Sequence, residues 1–279
     1  MSIILSFNEY ITYFDIFCLY FGFVRYCVQV IFLVEEKSQY IKKVVYLISS
    51  VVAVLDPGHG GFDSGAIGPN GTRESDIALA VAFQAERYLS SAVKVHLTRR
   101  DNKSLANDAS IDLKERASIA QKARANCFVS IHCNKEKDNN NSGVVTYHNA
   151  GNEKGRYLAA SIHNKLVPAV GLFSRGLREK DFDVLNYSSC PSALVELAYI
   201  SNYQEEALLK TADFQDRAAW AIASGIASYL GVYLNQIPDF PETPFEKLAK
   251  RVSLDNKCSE NDPVTWDEFA AVLKKLGLL

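Results

Sequence analysis

The chain lacks an excess of either charge: 30 basic residues stand against 32 acidic ones, a formal net of −2, and no long basic cluster breaks the balance. Bulk electrostatics therefore gives no ground for DNA, RNA or an anionic membrane as the main partner, and a polymeric substrate has to be recognised locally. Paired cysteines are missing as well. Cys18, Cys27, Cys127, Cys133, Cys190 and Cys258 form no C-x-x-C motif and no dense spacing, which argues against a disulfide framework and leaves the redox compartment open. A clean transmembrane run is also absent. Two charge-free stretches, 16–24 and 26–34, flank Arg25, and neither alone spans a bilayer. Joined, they hold twelve Ile, Leu, Phe and Val residues. At roughly −0.3 to −0.6 kcal/mol each, these offset an Arg cost of about 2.5–3.5 kcal/mol, so membrane contact through this segment is energetically allowed. No Lys or Arg precedes the segment, whereas Lys37, Lys42 and Lys43 follow it, an arrangement that would hold the downstream chain in the cytoplasm. The basic n-region and small-residue cleavage site of a secretory signal are lacking too. Residues 1–50 read as an apolar extension: a membrane anchor, a packed amphipathic segment, or a stretch upstream of the true domain.

What is present is enough apolar material for a proper core, 48% of 279 residues, which fits one large domain with small additions. From Val51 onward strand and helix signals alternate, the pattern of an α/β fold with a single, largely parallel twisted sheet flanked by helices. A buried strand is expected over Val51–Leu55, turning at Asp56-Pro57 because Pro57 cannot continue a central ladder and Gly58, Gly60 and Gly61 accept unusual backbone angles. A helix opening at Glu74, a strand over 93–97 and a helix started by the capping box Asp112–Glu115 follow. Next come a strand over 127–131, an exposed Asn-rich loop over 134–142, a strand over 144–147 and a helix over 154–166. A loop through Gly176, a short strand near 182–185, a strand over 193–195, a capping box at Asn202–Glu205 and a helix over 214–233 complete the domain. Pro238, Pro241 and Pro244 mark a linker. The capping boxes Thr243–Glu246 and Thr265–Glu268 then predict a two-helix tail too small to fold alone. The expected organisation is 1–50 extension, 51–234 catalytic domain, 235–243 linker and 244–279 helical tail.

Three strands deliver chemistry at their carboxyl ends, where open α/β sheets place ligands. The first leads to His59, the second to His132 and the third to Glu196. Two imidazoles suit a metal such as zinc, whose catalytic sites use three protein ligands and one open position. The third ligand should be a carboxylate near His59; Glu74 is best placed, with Asp63 and Asp76 behind it. Glu196 leaves an apolar strand, where an acid is costly unless paired or used. Its task reads as general base toward an attacking water and then general acid to a departing amine, with a buried ion pair to Arg99 or Arg116 as the structural alternative. Other polar residues carry less. His96 reads as structural, His163 as exposed on a helix, His148 as a surface-loop residue, and Cys133 as packing on the opposite side of its strand from His132. Asn134 and Arg178 are the candidate contacts to substrate.

Six separated segments carry a resemblance: Leu55–Gly61, the Glu74 segment, Leu97–Arg99, Leu113–Arg116, Ser130–Asn134 and Val195–Asn202. Together, in this order, they resemble the zinc-dependent N-acetylmuramoyl-L-alanine amidases, bacterial and phage cell-wall hydrolases, over roughly Val51 to Leu234. The resemblance implies that His59, Glu74 and His132 hold one zinc ion and that Glu196 is the catalytic acid/base. It also implies peptidoglycan as the substrate, cut between the muramic acid lactyl group and L-alanine, with action at the cell wall, either as an autolysin or as a phage lysin. Two positions depart from the family pattern, Ala198 in place of a usual Gly and Cys133 in place of a usual Ala, and neither removes a ligand. A zinc peptidase acting within the stem peptide and a non-catalytic wall-binding relative are the competing readings.

Overall fold

The computed structural model describes residues 51–235 together with Pro238 and Phe240. The chain divides at Ser50/Val51, and the sheet with its helices belongs to the second unit. The expectations for the N-terminal extension, for most of the linker and for the two-helix tail lie outside the described residues, as do Cys18, Cys27 and Cys258.

Six strands form one sheet in the order β2-β1-β3-β6-β4-β5. They are β1 (Val52–Pro57), β2 (Lys94–Leu97), β3 (Cys127–Asn134), β4 (Val144–His148), β5 (Ser174–Glu179) and β6 (Ser192–Tyr199). β2, β1, β3 and β6 run parallel; β4 and β5 are parallel to each other but β4 is antiparallel to β6. The helices are α1 (Glu74–Leu89), α2 (Ala109–Ala123), α3 (Glu153–Val170), α4 (Asp183–Asn186), α5 (Tyr203–Leu209) and α6 (Ala212–Leu230). Apolar side chains alternate to two faces, as the pleat requires. Leu55, Val129, Ile131, Val195 and Leu197 pack in one core with residues of α1, α3 and α6, while Val54, Phe128, Val145 and Leu194 pack in a second with α2 and α4. No helix among the described residues is long and apolar enough to cross a membrane.

Several local expectations are corrected. Pro57 belongs to β1, paired in register with Ile131, because the ladder bond it cannot donate is resumed by Gly58 N–H on the Ile131 carbonyl at 3.0 Å. The chain turns one step later, where His59 itself adopts φ 60° and is followed by Gly60 and Gly61 at positive φ. α2 starts at Ala109, not Asp112: the Asp108 carboxylate caps it by accepting from Ile111 N–H, so Asp112 lies inside the first turn. Gly176 sits within strand β5, and the region expected as a short strand is the single-turn helix α4. Its hydrogen bonds explain that: Phe182 carbonyl accepts from Leu185 and Asn186 N–H, closing a helical turn. Asn202 caps α5 as expected, but Glu205 turns away to accept from Tyr199 and Gly143 N–H, so the box is half formed.

β1 connects to β2 on one side of the sheet and the chain then returns to β3 on its other side, which makes the β1/β3 junction the topological switch point. Sheets of this kind open a crevice there. β3 and β6 outrun β1 and stay paired through Asn134 and Tyr199, so His132 and Glu196 lie within their strands, not at the ends.

Candidate metal centre

The segment between β1 and α1 folds back on itself before entering the helix. Glu74 N–H donates to Ala66 carbonyl at 2.9 Å and Ser75 N–H to Ser64 carbonyl at 3.2 Å. Glu206 of α5 holds the outer part of this loop, accepting from Asn70 N–H and Nδ2–H and from Thr72 N–H at 2.8 to 3.2 Å. Two arginines hold the inner part by its carbonyls. Arg99 donates to Pro57 at 2.9 Å and to Gly58 at 2.8 Å, and Arg116 donates to Pro57 at 2.8 Å and to His59 at 2.6 Å. Both guanidiniums are thus spent on the His59 turn, Arg116 also pairing with Asp56 and Asp112. The expected alternative of an ion pair to Glu196 is therefore not formed.

This arrangement brings His59, Glu74 and His132 together, one ligand atom from each lying within 4.8 Å of the others. The two imidazole rings meet edge to face with centroids 4.9 Å apart. Glu74 Oε1 sits between them, 3.2 Å from His59 Nε2 and 2.8 Å from His132 Nδ1. Behind the rings, His59 Nδ1 contacts Asp63 Oδ2 at 2.7 Å and His132 Nε2 contacts Ser130 Oγ at 3.1 Å. Asp63 is thus a partner of a proposed ligand, and Asp76 is exposed away from the group. Two glycines make the approach feasible. A Cβ on Gly58 would collide with the His132 imidazole, and one on Gly65, already at φ 66°, would lie 2.6 Å from the His59 ring and 2.7 Å from Glu74 Oε2.

The electrostatics follow from this packing. Burial favours a neutral Glu74, but hydrogen bonds and charge from His132 and His59 outweigh it and hold the carboxyl far below its ordinary value. Burial likewise opposes a charged His59, yet Glu74 and Asp63 raise it to about 9. Glu196 behaves oppositely: burial dominates, His132 and His59 offset it only partly, Glu74 adds to it, and the carboxyl is pushed up to about 7. Glu196 stands in register with His132 across β3 and β6, and its buried Oε2 has no hydrogen-bond partner among the described residues. A poised, unpartnered carboxyl beside a group of two imidazoles and one carboxylate is what metal-assisted hydrolysis needs.

Asn134 ends β3 with its side-chain carbonyl accepting from Lys135 N–H, and Arg178 lies exposed on β5 opposite Tyr147. His148 is buried, not in a surface loop, because it closes β4 and contacts its neighbour's carbonyl, Asn149 O. His163 is buried, not exposed, its two nitrogens engaged by Thr146 and Ser174 hydroxyls between α3 and the sheet. Cys133 is buried in the core on the face opposite His132, and Cys127, Cys133 and Cys190 are free thiols. Sequence reasoning missed Ser130 and Asp56 as neighbours of the site, and it set Arg116 against Glu196 where the guanidinium instead holds Asp56 and the His59 turn. The alternation rule could have found Ser130, which lies two residues before His132 and so on the same face.

Comparison with known proteins bears on the fold and the family. The family model for N-acetylmuramoyl-L-alanine amidase matches residues 53–228. The amidase LytC of Bacillus subtilis is 38% identical over 63% of this chain and 34% of its own length, so the chain spans about a third of that relative. The amidase AmiA of Escherichia coli is 32% identical over 66% of the chain and 78% of its own. The solved catalytic domain of the amidase CwlV from Bacillus (Paenibacillus) polymyxa is 38% identical, with a TM-score of 0.61 over 66% of this chain and 99% of that one. With its family match running from β1 to the last turn of α6, the chain belongs to the N-acetylmuramoyl-L-alanine amidase family.

Proposed function

We propose that the chain hydrolyses the amide between the lactyl group of muramic acid and L-alanine in peptidoglycan, and that His59, Glu74 and His132 are the residues that would hold one zinc ion. The observation that carries the reading is the buried, unpartnered Glu196 Oε2, in register with His132. The donor set of two nitrogens and one carboxylate oxygen fits zinc in its catalytic mode. Zinc bound there supplies Lewis acidity, polarising the scissile carbonyl and making a water more acidic.

The protein's own groups do the rest. Glu196, with its carboxyl near the neutral range, takes the proton from the attacking water and returns it to the leaving amine of L-alanine. Its position on a central strand fixes where that proton is held. Asp63 orients His59 by accepting from Nδ1–H. Arg178, exposed on β5, and Asn134, at the end of β3, are proposed to meet the peptide or lactyl part of the substrate. Action on this polymer puts the working site at the cell wall.

Metal analysis of the purified chain and mass spectrometry of digested peptidoglycan test the proposal. About one zinc per chain and new free amines at L-alanine are expected. Cleavage inside the stem peptide instead would reassign the enzyme as a peptidase, and intact wall with no bound zinc would leave a non-catalytic relative.

A further inference from the structure

We infer that Asp56 and Ser130 are positioning residues for the metal centre: through the Ser130 hydroxyl, Asp56 holds the Nε2–H of His132 in place, so that Nδ1, the nitrogen turned to Glu74, is the one available to a metal. The inference rests on the proposed metal-binding reading and adds to it a second layer of named residues.

Backbone register sets the relay up. Asp56 on β1 pairs with Ser130 on β3, and Ser130 and His132, two residues apart, project from the same face of that strand. Both Asp56 oxygens are buried among donors. Oδ1 accepts from Thr98 Oγ1–H at 2.5 Å and from Arg116 Nη1–H at 3.0 Å, and Oδ2 accepts from Ser130 Oγ–H at 2.7 Å. A guanidinium has no lone pair to offer in return, so this carboxylate acts as acceptor. The single Ser130 proton is therefore committed to Asp56, and toward His132 Nε2, 3.1 Å away, the same oxygen presents a lone pair. Nε2 must then carry the hydrogen. Nδ1 is the atom 2.8 Å from Glu74 Oε1, a carboxylate oxygen toward which it can only donate; a metal would take the place of that hydrogen, and the neutral ring then keeps its one N–H at Nε2.

His59 reaches the same result with its nitrogens exchanged. Asp63 accepts from Nδ1, and Nε2 is the atom turned to Glu74. The two rings thus offer opposite nitrogens to one point, each because of the acceptor behind it. For His132 that acceptor is a neutral hydroxyl, polarised in turn by a buried carboxylate that Arg116 and Thr98 hold in place.

Orienting partners of this kind are typically worth about 10–100-fold in metal affinity. Zinc affinity of the full chain, measured by competition with a chromogenic chelator, is expected to fall by about that factor in Ser130→Ala. Asp56→Asn is expected to weaken binding as well, because its amide can donate to Ser130 and reverse the proton direction. Ser130→Thr, which keeps the hydroxyl, should bind zinc close to the parent level. In the zinc-loaded parent the His132 Nε2–H should give a slowly exchanging imidazole proton signal by NMR that Ser130→Ala loses. The metal-free Ser130→Ala protein is expected to melt somewhat below the parent, because Asp56 Oδ2 loses its donor, and the Nε2–H signal together with rescue by Ser130→Thr separates positioning from general stability. Equal zinc affinity in the parent, Ser130→Ala and Asp56→Asn would overturn the relay alone. A weakening matched by a large melting loss and rescued by no hydroxyl would do so too. A parent that takes up no zinc would overturn the metal reading, and the relay with it.

Discussion

His132 and Glu196 face each other directly across the adjacent parallel strands β3 and β6, on one side of the sheet. Neighbouring strands lie about 4.8 Å apart, so a proposed ligand and the proposed acid/base start from backbone positions fixed by ladder hydrogen bonds. Glu74 is supplied from the other direction, at the first turn of α1, with Oε2 accepting from Ala66 N–H at 2.8 Å and Oε1 from Cys133 N–H at 3.0 Å. Elements of secondary structure therefore set the separations that the chemistry depends on, and only His59 comes from a loop, one clamped by two arginines.

Glu196→Gln separates catalysis from stability. Hydrolysis should fall by at least about 100-fold, the usual contribution of a positioned acid/base, while zinc content stays at the parent level. The carboxyl sits at about 7 in the fold against 4.5 in an ordinary setting, so the folded state binds the proton more tightly than the unfolded chain. The parent therefore loses stability as pH rises from about 4.5 to about 7. In chelator-treated protein at pH 8, Glu196→Gln should be more stable than the parent by up to roughly 3 kcal/mol, each tenfold difference in proton affinity being worth about 1.4 kcal/mol, and at pH 4 the two should converge. Urea unfolding at both values checks this, and a pH-independent difference would contradict it.

Gly58→Ala and Gly71→Ala should differ in kind. A Cβ at Gly58 would strike the His132 ring although the backbone angle there is unexceptional, whereas at Gly71 the space is open and only φ 84° resists. Gly71→Ala is expected to cost about 1 kcal/mol in unfolding experiments with zinc affinity unchanged. Gly58→Ala should displace the imidazole and weaken zinc binding at least 10-fold, a loss in line with disturbed ligand support. Equal zinc titrations for the two variants would count against the contact.

Much of this was legible in the sequence because strand signals are local. Apolar runs such as Val51–Leu55 and Ala193–Val195 bury on both faces of a mostly parallel sheet, and a His or Glu after such a run stands out. The errors came where a local signal was overruled by a distant partner. Pro57 looked like a strand terminator, but the carbonyl it still owns is taken by Arg99 and Arg116 from elsewhere in the chain. Asp112 looked like a cap, but its carboxylate is needed by Arg116 and by Leu105 N–H. His163 looked exposed on its helix, but Thr146 and Ser174 hydroxyls wait on the facing strands. Side-chain bonds across long sequence separations leave no periodic trace, so the cluster of His59, Glu74 and His132 could be read but its supports could not.

Arg116→Met should reveal the buried charge that this arginine holds. Burial alone would raise the Asp56 carboxyl, but Arg116 together with the Thr98 and Ser130 hydroxyls outweighs it and keeps the group below its ordinary value. Such a group stabilises the fold above its unfolded value of 3.8, and the contribution disappears as pH falls through the folded value. Removing the guanidinium leaves Asp56 charged and poorly compensated at pH 7, a change that costs about 3–5 kcal/mol in comparable buried pairs. The penalty should shrink toward pH 4, where the unpaired carboxyl can protonate. Unfolding free energies of the parent and Arg116→Met at pH 7 and pH 4 are the measurement; a penalty that stays constant or grows in acid would show that lost carbonyl contacts, not the Asp56 charge, dominate.

Glu206→Ala tests whether the loop carrying Glu74 depends on its outer anchor. The Glu206 carboxylate lies under the loop and accepts from two backbone N–H groups and one side-chain amide of Asn70 and Thr72. Truncation leaves those donors without their acceptor, at a cost of about 1–3 kcal/mol per unsatisfied buried group, reduced wherever water can enter. Because Ala66 N–H grips Glu74 Oε2 from the same loop, loosening should reach the proposed ligand. Amide hydrogen exchange is expected to quicken across residues 66–74 with α3 and α6 unchanged, and zinc should bind more weakly. Faster exchange throughout the domain would point instead to global destabilisation, and unaltered exchange in the loop would show that the two arginines alone suffice to hold it.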